Sequence, residues 1–308
     1  MKLALVKNKS SQIYIDALRA FNRIPGVETS MFKENKKVTE ALEEADAYVV
    51  VGNYFSTDVI GRAGPVKKFV ANSGKPFIVI TGSLFNCKTN VRYVRLNVNG
   101  FANNFAAMPP SDPDRLAKLI KFYKIENPYQ QKLGDKIVVA PNALTSPMMF
   151  GQDVDKWVYE VVQDLSSVTD RPIEVRYHRK RLQGHSKWHK MLKREYNKVV
   201  ITHDTLKANG PRDKAHCAIT YNSTFSVMSL LTGTSGIAYH PGNFVYELVP
   251  HLPQDGNLDY YPPQDQMIDH YGKLANMEWT VSEIENGTAW KVLEPMLQAN
   301  VRKNRDWL

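Results

Sequence analysis

AITYNSTFSVMSLLTGTSGIAYHPGNF, residues Ala218–Phe244, is the stretch whose reading decides the fold. An apolar run, Cys217–Tyr221, gives way to Asn222-Ser223-Thr224 and then to a second apolar run at helical spacing, Phe225–Leu231. After a break at Gly233 the chain resumes as Gly236–Tyr239 and stops at His240-Pro241-Gly242. Strand, polar turn, short helix and strand in succession are the signature of a parallel α/β sheet. Such sheets place ligands outside the carboxyl ends of their strands, and a helix start offers unpaired N–H groups to an anion. Asn222, Ser223 and Thr224 are N-cap types. With the backbone they are candidates for holding a phosphate, and an ordinary helix cap would use the same residues.

The α/β rhythm extends in both directions from this stretch. Upstream, Lys136–Ala140 reads as a strand ending at Pro141-Asn142-Ala143, Val154–Ser166 as a helix, Ile173–Arg176 as a strand and Lys198–Thr202 as another. Further back, Leu3–Val6, Val27–Phe32, Ala47–Val51 and Phe77–Thr81 alternate with helices at Ile13–Phe21, Val38–Glu44 and Pro65–Asn72. The apolar run Ala47–Val51 is the kind buried on both faces of a parallel sheet. A strand at Tyr93–Val98 and a helix at Asp112–Tyr123 follow, then the polar stretch Glu126–Asp135 with its Pro and Gly, read as an interdomain linker. The tail predicts helices around Met267–Ala275, Val281–Asn286 and Thr288–Asn300.

A chain of 308 residues exceeds the usual size of one core, so two domains are expected, 1–125 and 136–308, with return of the C-terminal helix to the first domain as an alternative. Hydrophobic content of 43% and charged content of 23% are those of a soluble globular protein. No apolar run is long enough to span a bilayer, and the polar start MKLALVKNKSS does not read as a signal peptide. No membrane partner is expected. Cys87 and Cys217 stand far apart without metal-ligand spacing, so neither a disulfide framework nor a metal site is expected, and the cytoplasm is the expected compartment.

The formal charge is +9, and Arg176–Lys198 alone carries nine Lys/Arg against one Glu. Tyr177, His178, His185, Trp188 and His189 are interleaved with these cations. Basic residues mixed with aromatics suit phosphate contacts and base stacking. A solvated helix face is the other reading, but such a face normally mixes charge signs. Lys187, Lys190, Lys193 and Arg194 are the candidate nucleic-acid contacts.

The succession KIVVAPNALT (136–145), Trp157, TDRPIEVRYH (169–178), TYNSTFSVMSLLTG (220–233) and MEWTVSEIENGTAW (277–290) resembles a group of bacteriophage glycosyltransferases of the GT-B type. The resemblance covers the chain from about Tyr93 onward. It implies two Rossmann-like domains facing across a cleft, with a nucleotide-sugar donor, UDP-linked, bound mainly by the second. It also implies transfer to a hydroxymethylpyrimidine of double-stranded phage DNA, with no cofactor. Arg176, His178, Ser223 and Thr224 become diphosphate candidates, and Asn142, Asn222 and His240 further donor contacts. The relatives often carry Pro where this chain has Arg179, Gln near Asn142, and Pro at Ser235. An inverting transfer needs a base for the acceptor hydroxyl, and Asp58, in a strand-end loop of the first domain, is the candidate; capping of 59–62 is the competing role. Two alternatives stay open: a GT-B enzyme acting on a surface polysaccharide or small acceptor, and a non-catalytic nucleic-acid-binding protein.

Overall fold

The structure is a computed structural model and describes residues 1–7, 11–33, 36–52, 65–85, 92–100, 108–143, 146, 149, 151–177, 186–202, 215–253 and 256–300. The chain divides into two units, Met1–Leu116 with Tyr271–Leu308, and Ala117–His270.

Unit 1 opens with β1 (Lys2–Lys7), α1 (Gln12–Ala20), β2 (Glu28–Lys33), α2 (Glu40–Glu43) and β3 (Ala47–Val51). It continues through α3 (Pro65–Asn72), β4 (Phe77–Gly82) and β5 (Tyr93–Val98), and the chain leaves through α4 (Pro113–Tyr123). Every residue of β3 is buried, as its unbroken apolar run requires. Strands β2, β1, β3 and β4 are parallel neighbours in that order, and β5 runs antiparallel to β4.

Unit 2 contains β6 (Lys136–Val139), α5 (Val154–Val168), β7 (Ile173–Arg176), α6 (Lys187–Glu195) and β8 (Val200–Thr202), then β9 (Ala215–Thr220), α7 (Phe225–Leu231) and β10 (Ser235–Ala238). Among the described residues its strands form a wholly parallel sheet in the order β10-β9-β6-β7-β8. Asp153 caps α5 by accepting from the N–H groups of Asp155 at 2.9 Å and Lys156 at 3.1 Å. The stripe Val154, Trp157, Val158, Val161, Val162 and Leu165 repeats at helical spacing and is buried against Ile137, Val139, Val175, Cys217, Ile219 and Ile237. Gly233 closes α7 at φ 101°, and a Cβ there would lie 2.0 Å from Gln130 O. No other residue fits that corner. Residues 126–135, expected as a linker, run along this corner: Tyr129 N donates to Leu231 O at 3.1 Å and Lys132 N to Gly233 O at 2.7 Å.

Within α8 (Gln264–Ala275), from Tyr271 on, the chain is part of unit 1 again, and it continues as β11 (Glu278–Thr280), α9 (Val281–Glu285) and α10 (Thr288–Ala299). The tail was expected as three helices, with no element between Ala275 and Val281. Instead β11 adds to the edge of β5, pairing Glu278 with Arg95, Trp279 with Val94 and Thr280 with Tyr93. Thr280 and Glu283 form a capping box at the start of α9. Arg115 binds Glu283 through both terminal nitrogens, at 2.9 and 3.0 Å, and its guanidinium lies 3.7 Å from the centre of the Trp279 ring. Trp279, Ile284, Trp290, Leu293 and Leu297 are core residues of unit 1 together with Leu3, Leu5, Val49 and Ile80. Among the described residues, no helix is long and apolar enough to cross a membrane.

Candidate functional site

Side chains alternate between the faces of a strand, so register decides which residues meet. In unit 2, Val139, Val175, Cys217, Ile219 and Ile237 face α5 and form the core. Their neighbours in sequence face the other way. Glu174 is level with Val138, Ala218 with Val138, Thr220 with Ala238, and Arg176 with Thr202. Continuing these registers, Thr202, Arg176, Ala140, Thr220 and Ala238 form one row across the sheet. Asn142, Asn222 and His240 follow the carboxyl ends of β6, β9 and β10, two or three residues beyond the last strand residue of each.

This edge is where the strand order reverses: β7 and β8 lie to one side of β6, β9 and β10 to the other. Ligands of open parallel sheets bind at such a switch point. The loops flanking it are joined directly. Asn142 Nδ2 donates to Asn222 O at 2.8 Å, and Asn222 N donates to Asn142 Oδ1 at 3.4 Å.

Arg176 is buried and ion-paired: its Nε donates to Glu174 Oε1 at 3.0 Å, and its guanidinium lies 6.0 Å from the Phe225 ring centre. Lys136 Nζ also reaches Glu174, at 2.7 Å, and Thr202 Oγ1 donates to it at 2.9 Å. Burial raises the Glu174 carboxyl, but the bonds from Arg176, Lys136 and Thr202 outweigh it and hold the pKa at about 2. Lys136 and Arg176 thus both bond Glu174.

His240 Nδ1 accepts from Gly242 N at 2.9 Å, and burial depresses the ring's pKa to about 4. The imidazole is neutral at pH 7, with its proton on Nε2. Its ring centre lies 5.0 Å from that of Tyr221, which in turn meets Trp157 edge-on at 5.7 Å.

Ser223 and Thr224 depart from the expected cap. Thr224 already has helical angles and makes no side-chain cap bond. Ser223 Oγ takes that place by accepting from Phe225 N at 3.2 Å. Asn243 stood outside the expected set. Buried beside the turn, it donates to Thr220 Oγ1 at 2.8 Å and lies 2.8 Å from Ser226 Oγ, tying the ends of β9 and β10 together. An Asn directly after His240-Pro241-Gly242, in a turn that follows a strand, was the available signal.

Asp58 and His178 lie outside the described residues. Lys187, Lys190, Lys193 and Arg194 are exposed on α6, whose other side buries His189 and Leu192. Arg194 pairs with Glu195 at 2.6 Å, and Lys187 Nζ sits 4.7 Å from the Trp188 ring centre. The stretch Thr169–Ile173 forms the turn from α5 into β7, where Arg171 N donates to Thr169 Oγ1 and Pro172 O accepts from Ile137 N at 2.9 Å. A cavity of about 240 Å³ opens there, lined by Thr169, Asp170, Arg171, Glu195 and Lys198. It lies at the amino ends of the strands, opposite the switch-point edge. Among the described residues no group of three or more His, Cys, Asp or Glu side chains is placed to hold a metal ion.

No protein-family model and no curated protein matches the chain. Solved structures do. A β-Kdo 2,7-transferase, KpsC of Thermosulfurimonas dismutans, superposes with a TM-score of 0.51 over 96% of this chain and 99% of its own, at 12% identity. A β-Kdo 2,4-transferase, also KpsC of that organism, gives 0.50 over 89% and 90%, at 10% identity. At such identities the likeness is one of fold. The chain has an α/β fold of the GT-B-like kind, with two Rossmann-like units.

Proposed function

We propose that the chain is a glycosyltransferase that moves a sugar from a nucleotide-sugar donor to a hydroxymethylpyrimidine of duplex DNA, with the donor held at the carboxyl edge of the unit 2 sheet. One observation carries the reading: at the carboxyl edge of the sheet, where the strand order reverses, Asn142 after β6 bonds Asn222 after β9, His240 follows β10, and buried Arg176 ends β7. In the transfer, the acceptor oxygen bonds to the anomeric carbon as the bond to the nucleoside diphosphate breaks. The charge left on the diphosphate needs fixed donors and cations. Arg176, buried at the end of β7 and bonded to Glu174, is the cation assigned to it. Ser223 and Thr224 supply hydroxyls, and neutral His240 an N–H. Asp58, the carboxylate nearest a strand-end loop of the first half, is the base assigned to the acceptor proton, and His178 is a further donor contact by the family resemblance.

The DNA acceptor is supported by the four exposed cations of α6. Incubation of hydroxymethylated duplex DNA with the protein and a panel of nucleotide-sugars tests it, by mass analysis of the released nucleosides. A hexose or pentose added to the modified pyrimidine is the expected product. A saccharide acceptor is the second reading, favoured by the Kdo transferases that share the fold. Transfer to an oligosaccharide with none to DNA would select it.

A further inference from the structure

Two buried asparagines stand at the ends of β9 and β10, and the fold treats them differently. Asn243 is saturated: its Nδ2 donates to Thr220 Oγ1 at 2.8 Å, and its Oδ1 accepts from Val245 N at 3.2 Å and lies 2.8 Å from Ser226 Oγ. Asn222 is only 1% exposed, yet among the described residues neither Nδ2 nor Oδ1 has a hydrogen-bond partner. Its backbone, by contrast, is held at both polar atoms by Asn142. A buried carboxamide with both atoms unmatched costs free energy that an apolar side chain of the same size would avoid. The clamp from Asn142 therefore fixes a residue whose side chain makes no hydrogen bond among the described residues.

We propose that the Asn222 carboxamide recognises a neutral ligand edge carrying one acceptor and one donor side by side, and does not contact phosphate. A diphosphate at neutral pH presents acceptors. These suit Nδ2 and repel Oδ1, so phosphate would leave half the amide unmatched. An edge with an acceptor beside a donor satisfies both atoms at once, as when asparagine pairs with a base edge. A nucleotide-sugar offers this chemistry in two places, the edge of its base and the vicinal diol of a sugar ring. The proposal rests on the nucleotide-sugar reading and revises the phosphate role that the sequence suggested for Asn222.

Calorimetric titration of the full chain tests it, comparing wild type with Asn222→Leu and Asn222→Asp. The probes are inorganic pyrophosphate, nucleoside diphosphates of different bases, and their deoxy counterparts. Asn222→Leu is expected to weaken nucleoside diphosphate binding about tenfold or more, leave pyrophosphate unchanged, and melt no lower than wild type. If the base edge is the partner, discrimination among bases shrinks in the variant. If the diol is the partner, removing a hydroxyl from the ligand ceases to matter. Asn222→Asp, with acceptors at both positions, is expected to show the same selective loss should the leucine variant fail to fold. An equal loss for pyrophosphate would overturn the proposal, as would unchanged affinities in a variant that melts lower. Wild-type protein that binds no nucleotide or nucleotide-sugar would instead remove the donor reading and this inference with it.

Discussion

Glu174 and Arg176 stand two residues apart on one face of β7, both buried, with Nε 3.0 Å from Oε1. Removing one member of a buried ion pair typically costs about 3–5 kcal/mol, and Glu174→Ala should approach that because Lys136 is left without its partner as well. Burial raises the carboxyl's pKa, yet the bonds from Arg176, Lys136 and Thr202 bring it from an ordinary 4.5 down to about 2. A depressed folded pKa gives stability that is full above the unfolded value and lost as pH falls through the folded one. Denaturation midpoints of wild type and variant should therefore differ by a constant amount above pH 4.5 and converge toward pH 2. A gap that persists to the lowest pH would contradict this.

His240 gives a second acid-sensitive contribution. Burial lowers its pKa from 6.5 to about 4, so the folded chain binds fewer protons than the unfolded one between those values. Stability attributable to this residue rises with pH across that window. His240→Gln should flatten the rise while leaving stability above pH 7 little changed. An identical pH profile in the variant would show that the ring does not titrate as its burial requires.

The exposed face of α6 is the expected DNA contact. Neutral substitutions at Lys187, Lys190, Lys193 and Arg194 should reduce the log–log salt slope of duplex binding by about 0.9 for each phosphate that the helix ceases to neutralise. Nucleotide affinity should stay close to wild type. An unaltered slope would move the DNA elsewhere. Arg95 of unit 1 is buried and cannot serve; burial lowers its pKa to about 10 against the opposing effect of Glu278.

Truncation before Glu294 removes Met296 and Leu297 from the core of unit 1. Deleting one large buried side chain costs about 2–5 kcal/mol, so the stability of the truncated chain in denaturant titration should fall by at least that much. A truncated chain as stable as the full one would contradict the packing of α10.

Much of this architecture was legible because the deciding runs are local. Phe225–Leu231 is the helix that the apolar spacing indicated, and Ala47–Val51 the strand. Asn222 was a candidate before any register was known, since it follows an apolar strand at its carboxyl end, and Asn142 was a candidate through the family resemblance. Strand β11 was not legible. It is three residues long between two helices, and what makes it a strand is pairing with Tyr93–Arg95, far away in sequence. Nor was the fate of its acid. Glu278 is fully buried and accepts from Leu84 N at 2.7 Å; burial raises its pKa against bonds from Leu84 and Ser83 and the nearby Arg95 and Arg115. A lone Glu beside a Trp gives no such signal. The counter-ion of Arg176 was readable in principle, because Glu-Val-Arg on a strand puts both charges on one face.

The donor site at the switch point is tested most directly by amide hydrogen exchange with and without a bound nucleotide-sugar. Slowed exchange is expected at Ala140 and Asn142, along 221–226, and at Tyr239, His240 and Asn243. Protection confined to other strands, or to the cavity at Thr169–Ile173, would contradict the assignment of the donor to this edge.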